Sequence, residues 1–259
     1  MPKIFAISDL HLSFMADKPM NLFGQHWDNY EDKILTDWNS KLGPNDIGII
    51  AGDISWAMKP AETDRDFDFI RKLNGKKILI RGNHDYWWST ITKVRELLGP
   101  DVIALQNDSV RLELSSTDDA LARECAVLQL QNDNPTPKGI VFAGTRGWRV
   151  PERRQPQTAE DKKILAREII RLELALKDAK IKLQPADTLI VIIHYPPFNS
   201  LRDPSPFTDL MEKFGVNICI YGHLHGKGGR VELHTQKNNI DYYLTSCDLL
   251  GFHVAEIPL

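Results

Sequence analysis

Leu79-Ile80-Arg81-Gly82-Asn83-His84-Asp85 is the stretch from which the rest of this chain can be read. An apolar run of strand character stops at a glycine and is followed at once by three side chains that carry oxygen or imidazole donors. The same layout returns at Ile49-Ile50-Ala51-Gly52-Asp53 and at Ile218-Cys219-Ile220-Tyr221-Gly222-His223-Leu224-His225. Glycine lets the chain leave a strand sharply and lets backbone approach an ion that a Cβ would obstruct. Ala6-Ile7-Ser8-Asp9-Leu10-His11 and Ile192-Ile193-His194-Tyr195-Pro196-Pro197 place further donors at similar ends. In open α/β sheets ligands gather just beyond the carboxyl ends of strands, so five such ends predict one convergent site.

Between these ends, apolar β-branched runs alternate with amphipathic segments. Strands are expected at Lys3 to Ile7, Ile47 to Ala51 and Lys77 to Ile80, with helices around Asp28 to Leu42, Ala61 to Leu73 and Ser89 to Leu98. Gly43, Gly75 and Gly99 stand near the helix stops. Short strands at Val110 to Leu114, Ala126 to Leu130 and Ile140 to Gly144, divided by turns such as Asn132-Asp133-Asn134-Pro135, suggest an antiparallel portion. Thr158 with Asp161 three residues on resembles a capping box and opens a long helix to about Leu183, whose Lys and Glu residues read as a solvated surface. Strands return at Thr188 to Ile193 and Val216 to Tyr221. Gly229 to His234, Ile240 to Ser246 and Phe252 to Ile257 then look like a meander.

The 259 residues could form one large α/β domain or two small ones. No flexible linker divides the chain, and donors spread from Asp9 to His225 must converge, so a single domain over residues 1–259 is expected. With 32 basic against 35 acidic residues, nothing draws the whole molecule to nucleic acid or to an anionic membrane. The start at Met1 has no basic, apolar signal pattern, and no run reaches membrane-spanning length. Three scattered cysteines, Cys125, Cys219 and Cys247, without a C-x-x-C, disfavour a zinc-thiolate site and favour a reducing cytoplasm.

Asp9 and His11 are two residues apart, so if strand geometry persists they point to one side, about 7 Å apart along the backbone. A set of carboxylate, amide and imidazole donors without thiolate suits manganese, iron, zinc, cobalt or nickel better than a calcium-type oxygen cage. Two carboxylates against two divalent ions leave the site cationic and attractive to phosphate.

The series Asp9-x-His11, Gly52-Asp53, Gly82-Asn83-His84-Asp85, His194 and Gly222-His223-x-His225 resembles the calcineurin-like metallophosphoesterase superfamily in all five motifs, in order. The resemblance implies two packed mixed β-sheets flanked by helices, and two divalent metal ions, with manganese, iron and zinc foremost. It assigns Asp9, His11 and His225 to one metal, Asn83, His194 and His223 to the other, and Asp53 to a bridge between them. It further implies attack of a metal-bridging hydroxide on a phosphomonoester or phosphodiester. His84 would protonate the leaving group, with Asp85 a candidate to orient its ring.

Taken singly, an Asp-x-His or Gly-Asp is turn or cap chemistry; taken jointly, the five motifs outweigh that reading. His26, His234 and His253 fall outside them and read as surface or satisfied residues, and Asp17, Asp28, Asp64, Asp66 and Asp68 as caps or solvated faces. Trp87 and Trp88 could wall a pocket or pack a helix start; Tyr195, Phe198 and Phe207 pose the same choice. Residues 145–160 form a candidate substrate-side loop with four arginines. Arg146, nearest the strand end, is the expected phosphate contact, whereas Arg149, Arg153 and Arg154 read as partners for acidic groups on the long helix. A small-molecule phosphate ester is favoured over nucleic acid, since no second basic domain is present. A metal-holding interaction module is the competing class, and His84, which no metal count requires, favours the enzyme.

Overall fold

The computed structural model describes residues 2–114, 138–226 and 232–259. Among these, strands β1 (Ile4–Ile7), β2 (Ile47–Ile50), β3 (Lys76–Ile80), β4 (Val102–Leu105), β5 (Asp108–Glu113), β6 (Gly139–Thr145), β7 (Thr188–Ile193), β8 (Ile218–Tyr221), β9 (His234–Lys237), β10 (Ile240–Leu244) and β11 (Ala255–Glu256) build two sheets. The first runs β11-β1-β2-β3-β4 and the second β5-β6-β7-β8-β10-β9. In the first, β1 to β4 are parallel and β11 is antiparallel at the edge. In the second, β6, β7, β8 and β10 are parallel, with β5 and β9 antiparallel at the two edges.

Alternation along each strand makes the four-layer packing of helices, two sheets and helix. Ile4, Ala6, Ile49, Ile78 and Ile80 of the first sheet meet Ile140, Phe142, Ile190, Ile192 and Ile220 of the second in one buried cluster. Their neighbours Phe5, Ile7, Ile50 and Leu79 face outward onto the helices Tyr30–Lys41, Asp64–Arg71 and Ile91–Leu98, through Trp38, Phe67 and Val94. Val141, Val191 and Cys219 likewise face Leu172, Leu176 and Ala179 of the long helix Ala159–Lys182. Parallel strands buried on both faces carry continuous apolar runs, which is why their sequences are so plain.

The Thr158 hydroxyl accepts from the Asp161 N–H at 3.0 Å, as the capping pattern predicts. The antiparallel portion is the β5–β6 pair, but β6 also pairs parallel with β7. The expected strand Ala126 to Leu130 and turn Asn132 to Pro135 lie outside the described residues. The closing meander is corrected. β9 starts at His234 and pairs with β10, while β11 leaves for the first sheet and pairs with β1. Phe252 precedes β11 on the helix side of that first sheet, its ring packed on Trp27 and Tyr30. Two elements were not expected: β4, and the helix Pro206–Phe214, capped by Ser205 with proline at its first position.

Candidate metal centre

β1 ends at Ile7, so Asp9 and His11 do not continue a strand. Both adopt left-handed backbone, φ 59° and 48°, as do Asp53 at 51° and His223 at 73°. Hydrogen bonds between loops hold these turns: the Asp9 N–H donates to Gly52 O and the His11 N–H to Asp53 O, each at 2.9 Å. Gly82 and Gly222 make the crossing possible. A Cβ at Gly82 would collide with the Asp53 carboxylate and amide, and one at Gly222 with the Ser8 hydroxyl and the Asp9 carboxylate. The glycines therefore make room for the aspartates of neighbouring strand ends.

Donor atoms from both sheets converge in two groups. His225 Nε2 stands 3.3 Å from Asp9 Oδ1 and 3.4 Å from His11 Nε2. Asn83 Oδ1 stands 2.8 Å from both His194 Nε2 and His223 Nδ1. Asp53 Oδ2 lies between them, 3.4 Å from His194 Nε2 and 3.8 Å from His11 Nε2. Two triads of the set, Asp9 with His11 and His225, and Asp9 with Asp53 and His194, are compact enough to hold an ion. Donors about 2.1 Å from one ion are about 3.0 Å apart at right angles and about 3.4 Å apart at tetrahedral angles. The spacings of 3.3 and 3.4 Å fall in this range, with those to Asn83 at 2.8 Å just below it and that between Asp53 and His11 at 3.8 Å just above.

The chemistry of the donors fits a cation equally well. His194 Nδ1 lies 3.0 Å from Ala51 O, which makes Nδ1 the protonated nitrogen and turns the Nε2 lone pair toward the amide oxygen of Asn83. Such a contact at 2.8 Å is satisfied by a proton or a metal ion between the two atoms. Without metal, protons take that part: burial opposes a charge on His194, yet the Asp53 carboxylate pulls it up to about 9. His225 is raised to about 10 against burial, by Asp248 and Asp9. Burial holds His11 and His223 down near about 4, so both are neutral imidazole donors at ordinary pH. On Asp9, burial is outweighed by the histidines, and its carboxyl stays ionised.

Support for these ligands comes partly from residues that sequence reasoning passed over. Ser8 Oγ and Ser246 Oγ donate to Asp9 Oδ2 at 2.5 and 2.9 Å, leaving Oδ1 toward His225. Asp248 holds His225 Nδ1 at 3.0 Å and the Gly226 N–H at 3.0 Å. Ser246 and Asp248 follow β10, a sixth strand end facing the site. Its lack of a glycine is what hid it. Trp56 stacks on His11 with centroids 4.6 Å apart and lies 4.5 Å from the His84 ring.

His84 donates its backbone N–H to Asp53 Oδ1 at 2.7 Å, and its ring lines the cavity over the ligands. Asp85 turns elsewhere. Its carboxylate accepts from the N–H groups of Ile54, Ser55 and Gly82 and from Trp87 Nε1, tying the β2 and β3 exits together. Arg146 faces away from the ligands as well, toward the buried Glu168 at 3.1 Å. Glu168 thereby corrects the reading of the long helix's acidic residues as solvated, and Asp66 is likewise buried, held by Ser55 and the Phe14 N–H. Arg149 does meet the long helix, at Asp161, while Arg153 pairs with Asp203.

Above the ligands lies a cavity of about 990 Å³, walled by Met20, Phe23, Trp27, Trp56, Leu233 and Leu249 and reached by His26. Trp87 and Trp88 are core, Trp87 edge-on to Phe67. Phe207 is core too, whereas Tyr195 and Phe198 line a second cavity of about 460 Å³ that shares His223 and is edged by Arg149 to Gln157. Among the described residues, no helix is long and apolar enough to cross a membrane.

Comparison with known proteins agrees with this geometry. The chain is 31% identical over 88 residues to an uncharacterized protein of Methanocaldococcus jannaschii, a match covering 33% of this chain and 48% of that one. The match thus spans about half the length of that curated relative. Among solved structures it is similar to GAP50, the anchor in the inner membrane complex of Plasmodium, with a TM-score of 0.54, 13% identity and 95% and 71% of the two chains covered. It is also similar to a protein of Thermus thermophilus, with a TM-score of 0.53, 10% identity and 99% of each chain covered. At such identities these two show the fold alone. The family model for calcineurin-like phosphoesterase matches residues 2–227, and the chain belongs to that family of metal-dependent hydrolases of phosphate esters.

Proposed function

We propose that the chain is a dinuclear phosphohydrolase, acting as one domain on a small phosphomonoester or phosphodiester through Asp9, His11, His225, Asn83, His194, His223 and a bridging Asp53. One observation carries this: Asp53 Oδ2 lies between two donor groups, within 3.8 Å of a histidine from each. Two divalent ions, with manganese, iron or zinc suited to these donors, would supply an acidified water as nucleophile and polarise the phosphoryl oxygens.

The residues of the chain do the rest. Asp53 holds both groups in register and, through Oδ1, fixes the His84 backbone. The His84 ring, confined by Trp56, reaches the cavity where a leaving-group oxygen would sit. Burial lowers its pKa, and an anionic phosphoester beside it would act in the opposite direction, favouring the protonated ring that a leaving-group oxygen needs. The apolar walls exclude water and suit a substrate with an aromatic or alkyl portion. Buried free thiols at Cys219 and Cys247 are consistent with a reducing, cytoplasmic setting.

The test is metal counting by mass spectrometry with turnover of an aryl phosphate and a bis-aryl phosphodiester in manganese. Two ions per chain are expected, with turnover abolished by Asp53→Asn and reduced by His84→Ala. Two ions without turnover across a broad phosphoester panel would instead support a metal-holding interaction module.

A further inference from the structure

On the other side of Arg81 and Arg146 is a separate cavity of about 250 Å³, between the exit of β3, Gln106 and Asn107 after β4, and the long helix. Its charged wall is four guanidinium groups, Arg81, Arg146, Arg167 and Arg171, against one carboxylate, Glu168. Three of the four address a single oxygen of that carboxylate. Arg171, Arg146 and Arg167 approach Glu168 Oε1 at 2.6, 3.1 and 3.7 Å. Glu168 Oε2 is buried without a hydrogen-bond partner, as are Nε of Arg81 and Nε of Arg146. Arg81 forms neither a hydrogen bond nor an ion pair with any described residue. Four positive charges less one negative leave a formal +3 around a partly enclosed polar space.

Uncompensated charge in such a setting is costly, and guanidinium groups in convergent array are the protein's usual complement for a tetrahedral oxyanion. The space holds on the order of eight waters at about 30 Å³ each, or one such anion with part of its hydration. We propose that this cavity binds a phosphate-class oxyanion, distinct from the substrate cavity, and that its occupancy steadies the metal ligands. The linkage is short, along the chain for Arg81 and through backbone hydrogen bonds for Arg146. Arg81 precedes Asn83 by two residues, and the Arg146 carbonyl accepts the N–H groups of His194 and Tyr195 at 3.0 and 3.2 Å. An anion drawing both arginines together braces the exits of β3 and β7, which carry two ligands of one donor group.

The experiment uses the full chain stripped of metal by chelator, so that the metal centre cannot itself capture the probe. Inorganic phosphate and sulfate are titrated calorimetrically at low ionic strength, with chloride as control, into wild type, Arg167→Gln and Arg171→Gln. Saturable binding of one anion per chain, weakened tenfold or more in Arg171→Gln, is expected. Arg167 is half exposed, so Arg167→Gln keeps its fold and serves if Arg171→Gln does not. As a second readout, sulfate should tighten manganese binding in wild type and not in the variants. Absence of saturable binding, or equal affinity in wild type and both variants, would overturn the proposal and leave a structural ion cluster or an adventitious ion only. The outcome is independent of whether the metal centre turns over phosphoesters.

Discussion

Replacing Asp85 by asparagine separates a residue that supports the metal loops from one that acts on His84. Asp85 Oδ1 accepts three hydrogen bonds, from the N–H groups of Ile54 and Ser55 and from Trp87 Nε1, at 2.8, 3.1 and 3.0 Å; Oδ2 accepts one, from the Gly82 N–H at 2.7 Å. In the variant the amide nitrogen must take the Oδ2 position, since its oxygen already serves three donors. Donor then faces donor at Gly82. A lost charge-assisted bond and a stranded buried N–H together cost about 2–5 kcal/mol.

The opposing effect is electrostatic. Burial and the neighbouring Asp53 carboxylate push Asp85 up to about 6, so in metal-free protein its charge is destabilising at neutral pH. Asparagine relieves that destabilisation. Metal binding neutralises Asp53 and removes its share of the rise, leaving the larger share that burial supplies. The variant should therefore lose more Tm against wild type with manganese bound than in chelator, by about 3–6 °C for a difference of about 1.4 kcal/mol. By linkage its metal affinity falls on the order of 10-fold. The sign can be checked by pH. A raised carboxyl pKa means that the contribution of Asp85 falls as pH climbs from about 4 to about 6, so over that range the stability difference between metal-free wild type and variant shifts in favour of the variant. Thermal unfolding with and without metal, plus a manganese titration, measures all three. Equal destabilisation in both states, or unchanged metal affinity with kcat cut at saturating metal, would refute the reasoning and return Asp85 to the task of orienting His84.

Three further outcomes are expected. His84→Ala should lower kcat by about 10²–10⁴-fold with metal content unchanged, because the ring lines the cavity while its backbone N–H, kept in alanine, still holds Asp53. Phe23 is 60% exposed at the cavity wall, so Phe23→Ala should leave Tm alone and raise KM for aryl phosphates more than for a short alkyl phosphate. Asp187 is held below the usual carboxylate range, chiefly by hydrogen bonds from Arg111, and it also accepts from the Gly139 and Gln184 N–H groups. Its contribution is present above the ordinary carboxylate pKa and lost as pH falls through the lowered one. Asp187→Asn should cost about 1.5–3 kcal/mol at neutral pH and flatten the acid limb of an unfolding curve.

What the sequence disclosed was whatever depends on repetition. Apolar runs ending in glycine and donors at the exits of β2, β3 and β8 located the strands and the site together, since a strand buried on both faces and a ligand at its end leave the same mark each time. The exits that lack this mark were harder. Ser246 and Asp248 follow β10 without a glycine, and nothing local distinguishes them from an ordinary turn. Arg146 shows the opposite difficulty. A guanidinium beside a strand end reads as a phosphate contact, but its direction is set by Glu168, a buried carboxylate on a helix that heptad-like patterning makes look solvated. A carboxylate next to a catalytic-type histidine suggests a pair, while the hydrogen bonds Asp85 accepts come mostly from backbone N–H groups that no sequence displays.

The left-handed exits explain the site. β1 does not continue to Asp9 and His11, so turns rather than strand alternation bring their side chains together. Four non-glycine residues in the left-handed region, Asp9, His11, Asp53 and His223, cost about 1–2 kcal/mol each. That total is a sizeable share of the roughly 5–15 kcal/mol by which a domain is stable. The strain persists because each turn is held from another strand end: Asp9 by Gly52, His11 by Asp53, and His223 through its N–H on the Asp9 carboxylate. The turns are thus mutually dependent. Relaxing one exit to extended backbone would release the hydrogen bond that holds the next, so the ligand set is positioned as a unit or not at all, and its placement draws on both sheets at once.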